Sequence, residues 1–404
     1  MTTVLWGLLS LLWLLKTILV SYDSVAIGII VPLIIDILVI LFLVGGDHFR
    51  NTLNKGGLFK VLIYLNIFLI FSTAIGVIQG YSLLTSVSTY IRLVTCQCIF
   101  IFGCLSYSIP RVRKWFFVVV FLSVFIHLIA GALGPVLALG AEEIDGVVRY
   151  SGLAGKINIL ANFALFFAVL FYVYYDSSKS NLTLLAFLLS VFVVFVTGTV
   201  KNAIILILFI SYLSLVKSNR KIIIIPLFFV IIVPIGIYIF QHTSISARVS
   251  EFVETGISIN IEQGEKVGNS FNWRLMHWRL LLSDWFNEHF WFGTGLGHYV
   301  VLDALTTQSG ITFDPHNDWI KFLLEFGFLG FLFFIYFLWR LLQFTFYLSN
   351  KDPLSKGVFY SFCASLIAML SANVVYSLPI FYYFWALLGF SYYKGLTNDE
   401  DNSN

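Results

Sequence analysis

The chain has 404 residues, of which 59% are hydrophobic and 11% charged, with a formal net charge of +3. Soluble globular proteins are close to half apolar and a quarter charged, so this composition excludes an ordinary soluble domain. The small net charge gives no sign of a nucleic-acid partner. Apolar runs long enough to cross a bilayer recur along the whole sequence, and we therefore predict an all-α polytopic membrane protein.

About twelve apolar segments are predicted to be transmembrane helices. They are residues 4–20, 25–44, 58–77, 89–107, 114–134, 157–175, 182–197, 202–216, 221–240, 318–348, 354–376 and 379–394. The first lacks the basic start and the cleavage site of a signal peptide, so we interpret it as a retained span. The predicted units are residues 1–240 with nine spans, residues 241–317 as one large external loop, and residues 318–404 with three spans and a tail.

Basic residues are unevenly distributed between the two sides of this predicted bundle. The short connections on one side carry eleven of them: Arg50, Lys55, Arg111, Arg113, Lys114, Lys179, Lys217, Arg220, Lys221, Lys351 and Lys356. The short connections on the other side carry three: Arg149, Lys156 and Lys201. The positive-inside rule makes the first side cytoplasmic, which places both termini inside and residues 241–317 outside. The acidic end at 399–401 is predicted to be disordered.

The long external connection divides into a polar arm, residues 241–270, and an amphipathic helix, residues 272–290. Trp278, Leu281, Leu282 and Trp285 recur at helical spacing, and Arg274 continues this stripe one turn earlier. A tryptophan-rich face next to a membrane predicts a helix that lies on the membrane surface. The following turn, GTGLGHYV, contains three alternate glycines but follows no strand, so a nucleotide-binding fingerprint is not favoured.

The stretch DPHNDWIKFLLEFGFLG is the strongest candidate for a reaction site. Asp314 is predicted to cap a helix whose first residue is Pro315. His316 and Asn317 are then in the first turn, where the positive end of the helix keeps the imidazole neutral and able to accept a proton. Glu325 is a carboxylate within an apolar run, which makes it a candidate for a functional role. The alternative for Glu325 is a bond that joins neighbouring helices or loop backbone.

Four basic residues of the external side are candidates for binding an anion. Arg274 and Arg279 can hold a diphosphate or a carboxylate through paired hydrogen bonds, or can reach toward lipid headgroups instead. Arg149 is the only arginine of the shorter external connections. Lys201, beside Asn202, opens a span whose N-terminus is suited to an anion, with the same lipid-facing alternative. The spacing of histidines and carboxylates does not imply a metal.

The ordered series NWRLMHW, FGTGLGHY and PHNDWIKFLLEFGFLG resembles the O-antigen polymerase/ligase superfamily. Its pattern is an arginine before a tryptophan in a large external loop, a Gly-x-Gly turn, a His-Asn pair and then Glu-x-Gly-x-x-Gly at the next span. All occur in order over residues 272–330. RYSGL, followed by Asn158 and Ala161, is similar to the external segment before a middle span. TGTVKN departs from the common Ser-Gly-Ser-Arg turn, so that Val200 stands at the arginine position with Lys201 beside it.

The resemblance implies a GT-C-like glycosyltransferase of the bacterial cytoplasmic membrane that works at its outer face without a cofactor. The implied partners are undecaprenyl-diphosphate-linked oligosaccharide, a growing polysaccharide or lipid acceptor, and a chain-length regulator membrane protein. His316 is the implied base, and arginines neutralise the leaving diphosphate. The full set of candidate residues is catalytic His316 and Arg274, with Arg149, Lys201, Arg279, Asn317 and Glu325 for substrate binding.

Three functions remain open at this point. A polymerase is favoured over a ligase that transfers glycan to lipid A-core, because the external side lacks an obvious large basic platform for phosphorylated core sugars. A non-enzymatic transporter or flippase needs coupled ionisable residues within the spans. The predicted spans contain almost none besides Lys16, Asp36, Arg92 and Glu325. A structural or scaffolding membrane protein needs none of the external arginines and histidines.

Overall fold

The computed structural model describes residues 2–18, 29–45, 49, 53–54, 57–144, 147–217, 270–302, 313–375 and 378–403. Its helices are α1 (Thr2–Ile18), α2 (Val31–Gly45), α3 (Gly57–Ile78), α4 (Leu83–Ser108), α5 (Arg113–Leu137), α6 (Ile157–Ser178), α7 (Asn181–Val196), α8 (Val200–Lys217), α9 (Ser270–Glu288), α10 (Asp318–Ser349), α11 (Pro353–Ala368) and α12 (Leu378–Ser403). Two strands, β1 (Ala141–Ile144) and β2 (Val147–Tyr150), pair as a hairpin. Short 3₁₀ turns occupy Tyr299–Val301 and Met369–Ser371.

These helices confirm the prediction of an all-α polytopic membrane protein. Six of them, namely α3, α4, α5, α6, α10 and α11 with its following turn, are long and apolar enough to cross a membrane. Shorter apolar helices lie within α1, α2, α7 and α8. The predicted span 221–240 and the polar arm before Ser270 lie outside the described residues. The division into units at residues 240 and 317 stays a prediction.

The start of α4 and the end of α12 differ from the predictions. α4 begins at Leu83, ahead of the predicted residue 89, because the hydroxyl of Ser82 caps it by accepting the N–H of Thr85. The tail was expected to be disordered, but α12 continues as a helix to Ser403. No proline or glycine follows Gly395 to stop this helix.

The centre of the bundle is formed by α4, α6 and α12. α6 is buried almost continuously from Leu160 to Phe171. α4 and α12 cross at two glycines: a Cβ at Gly389 would lie 1.9 Å from the carbonyl oxygen of Phe100, and one at Gly103 would lie 2.1 Å from that of Ala386. Small residues let helix backbones approach in this way inside a membrane protein. This crossing positions the first turns of α4 beside the candidate site.

The β-hairpin was not predicted. Its strands are antiparallel, and Glu142 lies opposite Arg149. Gly152 follows with φ +57° and packs on α5, where a Cβ would lie 3.0 Å from the backbone nitrogen of Gly131. The dipeptide Asp145–Gly146 is a strong sequence signal for a two-residue hairpin loop, and the hairpin could have been predicted from it. The hairpin brings Arg149 to the end of the helix bundle.

α10 is interrupted at Gly327, whose backbone has φ 67° and ψ −177°. The glycine-rich turn after α9 fills the interruption: Thr294 and Gly295 donate their N–H groups to the carbonyl oxygens of Leu324 and Glu325, at 3.0 and 2.9 Å. α10 therefore consists of a short segment, residues 318–326, and a longer one, residues 328–349. We name them the outer and the inner segment after the predicted orientation. The turn joins them through main-chain hydrogen bonds.

The same turn is wedged against α3 and α4. A Cβ at Gly295 would lie 2.4 Å from the Cα of Gly76 in α3. The N–H of Leu296 donates to the carbonyl oxygen of Ser72 at 3.3 Å. Ser86 of α4 shares a 2.8 Å hydrogen bond with His298. The N–H groups of Thr294 and Gly295 are thus used to pack the turn against α10, and that of Leu296 to pack it against α3.

Candidate functional site

The loop that carries His316 ends differently from the prediction. α10 begins at Asp318, and its cap is Asn317, whose side-chain oxygen accepts the N–H of Ile320 at 3.2 Å. Asp314 does not cap the helix; its carboxylate accepts the N–H of His316 at 2.9 Å. His316 has φ +50°, a left-handed conformation that cannot continue into a helix. His316 therefore lies in the loop before the helix and not in its first turn.

α9 holds this loop from one side. The indole of Trp278 donates to the carbonyl oxygen of Pro315 at 2.6 Å, and His277 bonds that of Phe313 at 3.0 Å. Leu281 and Trp285 of the same stripe are buried in a cluster with residues of α10. The prediction that this face lies on the membrane surface is wrong, because loop carbonyls and apolar residues of α10 cover it. α9 therefore fixes the backbone immediately before His316.

The segment after α11 holds the loop from the other side. Asn317 donates its amide to the carbonyl oxygen of Leu370 at 2.9 Å, and the N–H of Asp318 donates to that of Ala372 at 3.3 Å. The carboxylate of Asp318 accepts the N–H of Val375 at 2.8 Å. Both ends of the Asn317 amide are thus used to fix the backbone. The loop is fixed between two elements that are distant in sequence.

A cavity of about 550 Å³ opens beside His316. It lies between α4, the β-hairpin, the start of α6, the turn at Tyr299 and the outer segment of α10. Its polar lining consists of four cations, Arg92, Arg149, Lys156 and Lys321; three carboxylates, Glu142, Asp314 and Glu325; and Thr89, Asn158, Asn162, Tyr299, His316 and Asn373. Cations, carboxylates and amides in one cavity suit a ligand that carries both an anionic group and many hydroxyls.

The structure brings three of the predicted site residues together in this cavity: His316, Arg149 and Glu325. Arg149 is 5% exposed and Glu325 is fully buried. The main-chain carbonyl oxygen of Glu325 accepts the N–H of Gly295, whereas a bond of its carboxylate to neighbouring helices or loop backbone stays a prediction. Four candidates are not among the residues that line the cavity: Arg274, Lys201, Arg279 and Asn317.

Arg274 and Lys201 nevertheless lie close to His316. Arg274 follows Trp273, whose ring centroid is 6.4 Å from that of His316. Lys201 donates its ammonium group to the carbonyl oxygen of Ser371 at 2.8 Å, next to the segment that holds the loop. Arg279 is on the exposed side of α9. Substrate binding by these residues stays a prediction.

Asp314 connects the loop to the cavity wall. Its carboxylate contacts the ammonium of Lys321 at 3.2 Å and the hydroxyl of Tyr299 at 3.2 Å, and it accepts the amide of Asn373. Burial by itself raises the pKa of Asp314, but Lys321, Asn373 and the N–H of His316 outweigh burial and bring the pKa to about 2. Burial raises the pKa of Tyr299, and the negative charges of Asp314 and Glu325 and the hydrogen bond to Asp314 raise it further. Asp314 is therefore a charged anchor that fixes the backbone of His316.

The surroundings of His316 favour its neutral form. Burial lowers the pKa of the imidazole below its usual 6.5, and the positive charges of Arg274, Lys201 and Lys156 lower it further, while Asp314 acts in the opposite direction. A neutral imidazole at neutral pH is the form that can accept a proton. The cause differs from the predicted one, since the residue is outside the helix, and burial together with neighbouring cations lowers its pKa instead of the helix dipole.

Sequence reasoning did not assign three cations of the cavity to the site. Arg92 had a signal, since it is an arginine within a predicted apolar span. Lys156 was counted only among the basic residues of the external connections. Lys321 is three residues beyond the start of α10, and its ammonium lies 4.4 Å from the ring centre of Tyr299. Their convergence depends on contacts between elements that are far apart in the chain.

Replacing Asp314 by Asn is expected to lower the free energy of unfolding by about 2 kcal/mol at neutral pH, the value that corresponds to a pKa depressed from 3.8 to about 2. A depressed carboxyl pKa stabilises the fold above pH 3.8, and this contribution is lost as the pH falls toward 2. Thermal unfolding in detergent measures the change. Asp176→Asn is the control, because that carboxylate is 47% exposed in its pair with Lys179. Equal effects of the two changes would contradict an anchoring role for Asp314.

Comparison with known families connects this geometry to a class of proteins. Residues 185–335 match a family model described as O-antigen ligase. The matched range reaches from α7 through α9, the glycine-rich turn and the His316 loop into the inner segment of α10. No curated protein matches the chain significantly. The match confirms the resemblance to the O-antigen polymerase/ligase superfamily and supports a polymerase- or ligase-type role in glycan processing.

Proposed function

From the O-antigen ligase domain at residues 185–335, we propose that this multi-pass membrane protein is a glycosyltransferase that polymerises undecaprenyl-diphosphate-linked oligosaccharide at the outer face of the bacterial cytoplasmic membrane. The observation that carries the proposal is that His316 and Arg149 line one cavity, with further cations beside them. The excess of basic residues in the opposite set of connections supports this orientation.

In the proposed reaction a hydroxyl oxygen of the acceptor sugar attacks the anomeric carbon of the donor. The bond between that carbon and the diphosphate oxygen breaks, and the diphosphate leaves with the bonding electrons. His316 accepts the proton of the hydroxyl, for which its neutral form is required. Arg149, with Arg92 or Lys156, stabilises the charge that develops on the leaving group. Because the diphosphate already activates the donor, the reaction needs no nucleotide.

Transfer of the finished glycan to lipid A-core is the second candidate, because the matched family is described as O-antigen ligase. The two reactions share a donor and a base and differ in the acceptor. The deciding experiment uses the purified full chain in lipid nanodiscs with lipid-linked repeat units, first alone and then with lipid A-core. Longer lipid-linked glycan from repeats alone supports the polymerase, and product only with lipid A-core supports the ligase. Absence of product in both arms rejects both reactions.

Arg149→Lys is expected to lower kcat/KM by about ten- to a hundredfold, since lysine keeps the charge but loses the paired hydrogen bonds of the guanidinium. Initial rates of glycan transfer over a range of donor concentrations measure the change. The matched control is Arg340→Lys in the inner segment of α10, because Arg340 bonds Gln343 and does not line the cavity. Normal kcat/KM in Arg149→Lys at normal expression would remove Arg149 from the diphosphate site.

A further inference from the structure

A second pocket, of about 410 Å³, lies at the opposite end of the bundle. α6 shows the separation, because Ile157 at its start lines the cavity beside His316 and Ser178 at its end lines this pocket. α6 has 22 residues and is about 33 Å long. That length is close to the thickness of the hydrocarbon core, so the pocket is at the other membrane face. It plays no part in the proposed reaction.

The charges of this pocket are predominantly positive. Arg113, Lys114 and Lys394 line it against one carboxylate, Asp352. Arg113 is fixed in place, since its Nε donates to the carbonyl oxygen of Tyr107 at 2.5 Å and its guanidinium carbon is 4.1 Å from the centre of that ring. The ammonium of Lys394 is 3.6 Å from the carboxylate of Asp352. With three cations and one carboxylate, the pocket can hold an anionic group.

The surroundings of the pocket are those of a membrane interface. Phe117 and Phe390 form apolar parts of its wall. Trp115, next to Lys114, is 61% exposed, as expected of an aromatic residue at the level of lipid headgroups. Further along α5, Val118 and Leu122 are also exposed. An anionic group bound here would thus lie beside an apolar helix surface suited to hydrocarbon chains.

We propose that this pocket binds the phosphate of an anionic phospholipid, with the acyl chains along the exposed face of α5. Basic pockets between transmembrane helices at the cytoplasmic face are suited to such headgroups. The excess of basic residues in the connections on this side makes it the cytoplasmic face. The lipid is therefore bound in the leaflet opposite the cavity beside His316. This inference does not depend on the proposed glycosyl transfer.

The test measures binding of phosphatidylglycerol to the purified full chain in phosphatidylcholine nanodiscs. Arg113→Gln with Lys114→Gln is expected to weaken binding by roughly twenty-fivefold, about fivefold for each cation removed. The matched control is Arg111→Gln in the same connection, because Arg111 is exposed and does not line the pocket. Its Kd for phosphatidylglycerol is expected to stay within about twofold of the wild-type value, since one cation outside the pocket contributes little.

A third variant separates loss of binding from loss of fold. Asp352→Asn removes the one carboxylate that lines the pocket among the described residues. It keeps a side chain able to cap α11, where Asp352 accepts the N–H groups of Leu354 and Ser355. It is expected to tighten binding about fivefold, a gain that misfolding cannot produce. Equal weakening in Arg111→Gln would show general surface attraction and overturn the proposal. Displacement of the lipid by an equal concentration of inorganic phosphate would make the ligand a free anion, and that result would also overturn it.

Discussion

His316→Gln is expected to lower the rate of glycan transfer by about a hundred- to ten-thousand-fold while the protein stays folded and binds lipid-linked donor. Glutamine can keep a hydrogen bond but cannot accept a proton at working pH. Donor binding is expected to persist because Arg149 and its neighbouring cations belong to other elements. Turnover and donor affinity are measured on the same purified variant. Near-normal turnover would remove His316 as the base, and lost donor binding would place it in the diphosphate site instead.

Two controls separate chemistry from backbone geometry at this position. His316→Asn is the first, because asparagine adopts the left-handed conformation of residue 316 more readily than most residues. It is expected to be as inactive as the glutamine variant. His289→Gln is the second, since that histidine is in the connection after α9 and does not line the cavity. Its turnover is expected to match that of the wild type.

The pH dependence of the wild type follows from the same environment. Because the folded-state pKa of His316 is below 6.5, the neutral base persists at neutral pH and is protonated only at lower pH. Turnover is therefore expected to fall as the pH decreases through that lowered pKa. If the base-dependent limb of the rate profile were above pH 6.5, burial and the cations near His316 would not control its protonation.

Gly327→Ala is expected to be the most destabilising single substitution among these predictions, with a loss of about 4 kcal/mol or more in the free energy of unfolding. Residue 327 has φ 67° and ψ −177°, a backbone conformation that is essentially restricted to glycine. A Cβ there would also lie 2.4 Å from the backbone nitrogen of Gly293. Backbone strain and steric overlap therefore act together. Thermal unfolding in detergent and the yield of folded protein measure the loss.

Two other glycines allow the two causes to be separated. Gly80 has φ +85° but nothing within 4 Å of an added Cβ, so Gly80→Ala introduces strain without overlap. Gly7 of α1 has neither, so Gly7→Ala is expected to be neutral or slightly stabilising. The expected order of destabilisation is Gly327, Gly80 and Gly7. A loss at Gly327 no larger than that at Gly80 would show that contact with Gly293 contributes little.

The membrane helices were predictable because hydropathy alone determines where a chain can cross a bilayer. α6 and α10, for example, begin at the predicted residues 157 and 318. The cap of α10 was assigned incorrectly because Asp314 and Asn317 are both good capping residues, and the backbone of His316 decides between them. The buried face of α9 was misassigned because a tryptophan-rich stripe has the same pattern whether a membrane or the protein covers it.

The candidate site was predictable only in part. His316, Arg149 and Glu325 were identified because polar residues next to or within apolar segments are conspicuous. Arg92 and Lys321 could not be assigned to the same cavity, since their meeting depends on how α4 packs against the outer segment of α10. The role of Asp314 likewise depends on contacts with residues as far apart in the chain as Tyr299 and Asn373.

The interruption of α10 has a mechanical consequence. The connection after α9 bonds both segments. Thr294 and Gly295 donate to carbonyl oxygens of the outer segment, and Phe290 and Trp291 accept the N–H groups of Phe328 and Leu329 in the inner one. Main-chain groups that a break in a membrane helix leaves without helical partners need other partners within the protein. The position of the outer segment, and with it the loop of His316, therefore depends on this connection and not on an unbroken α10.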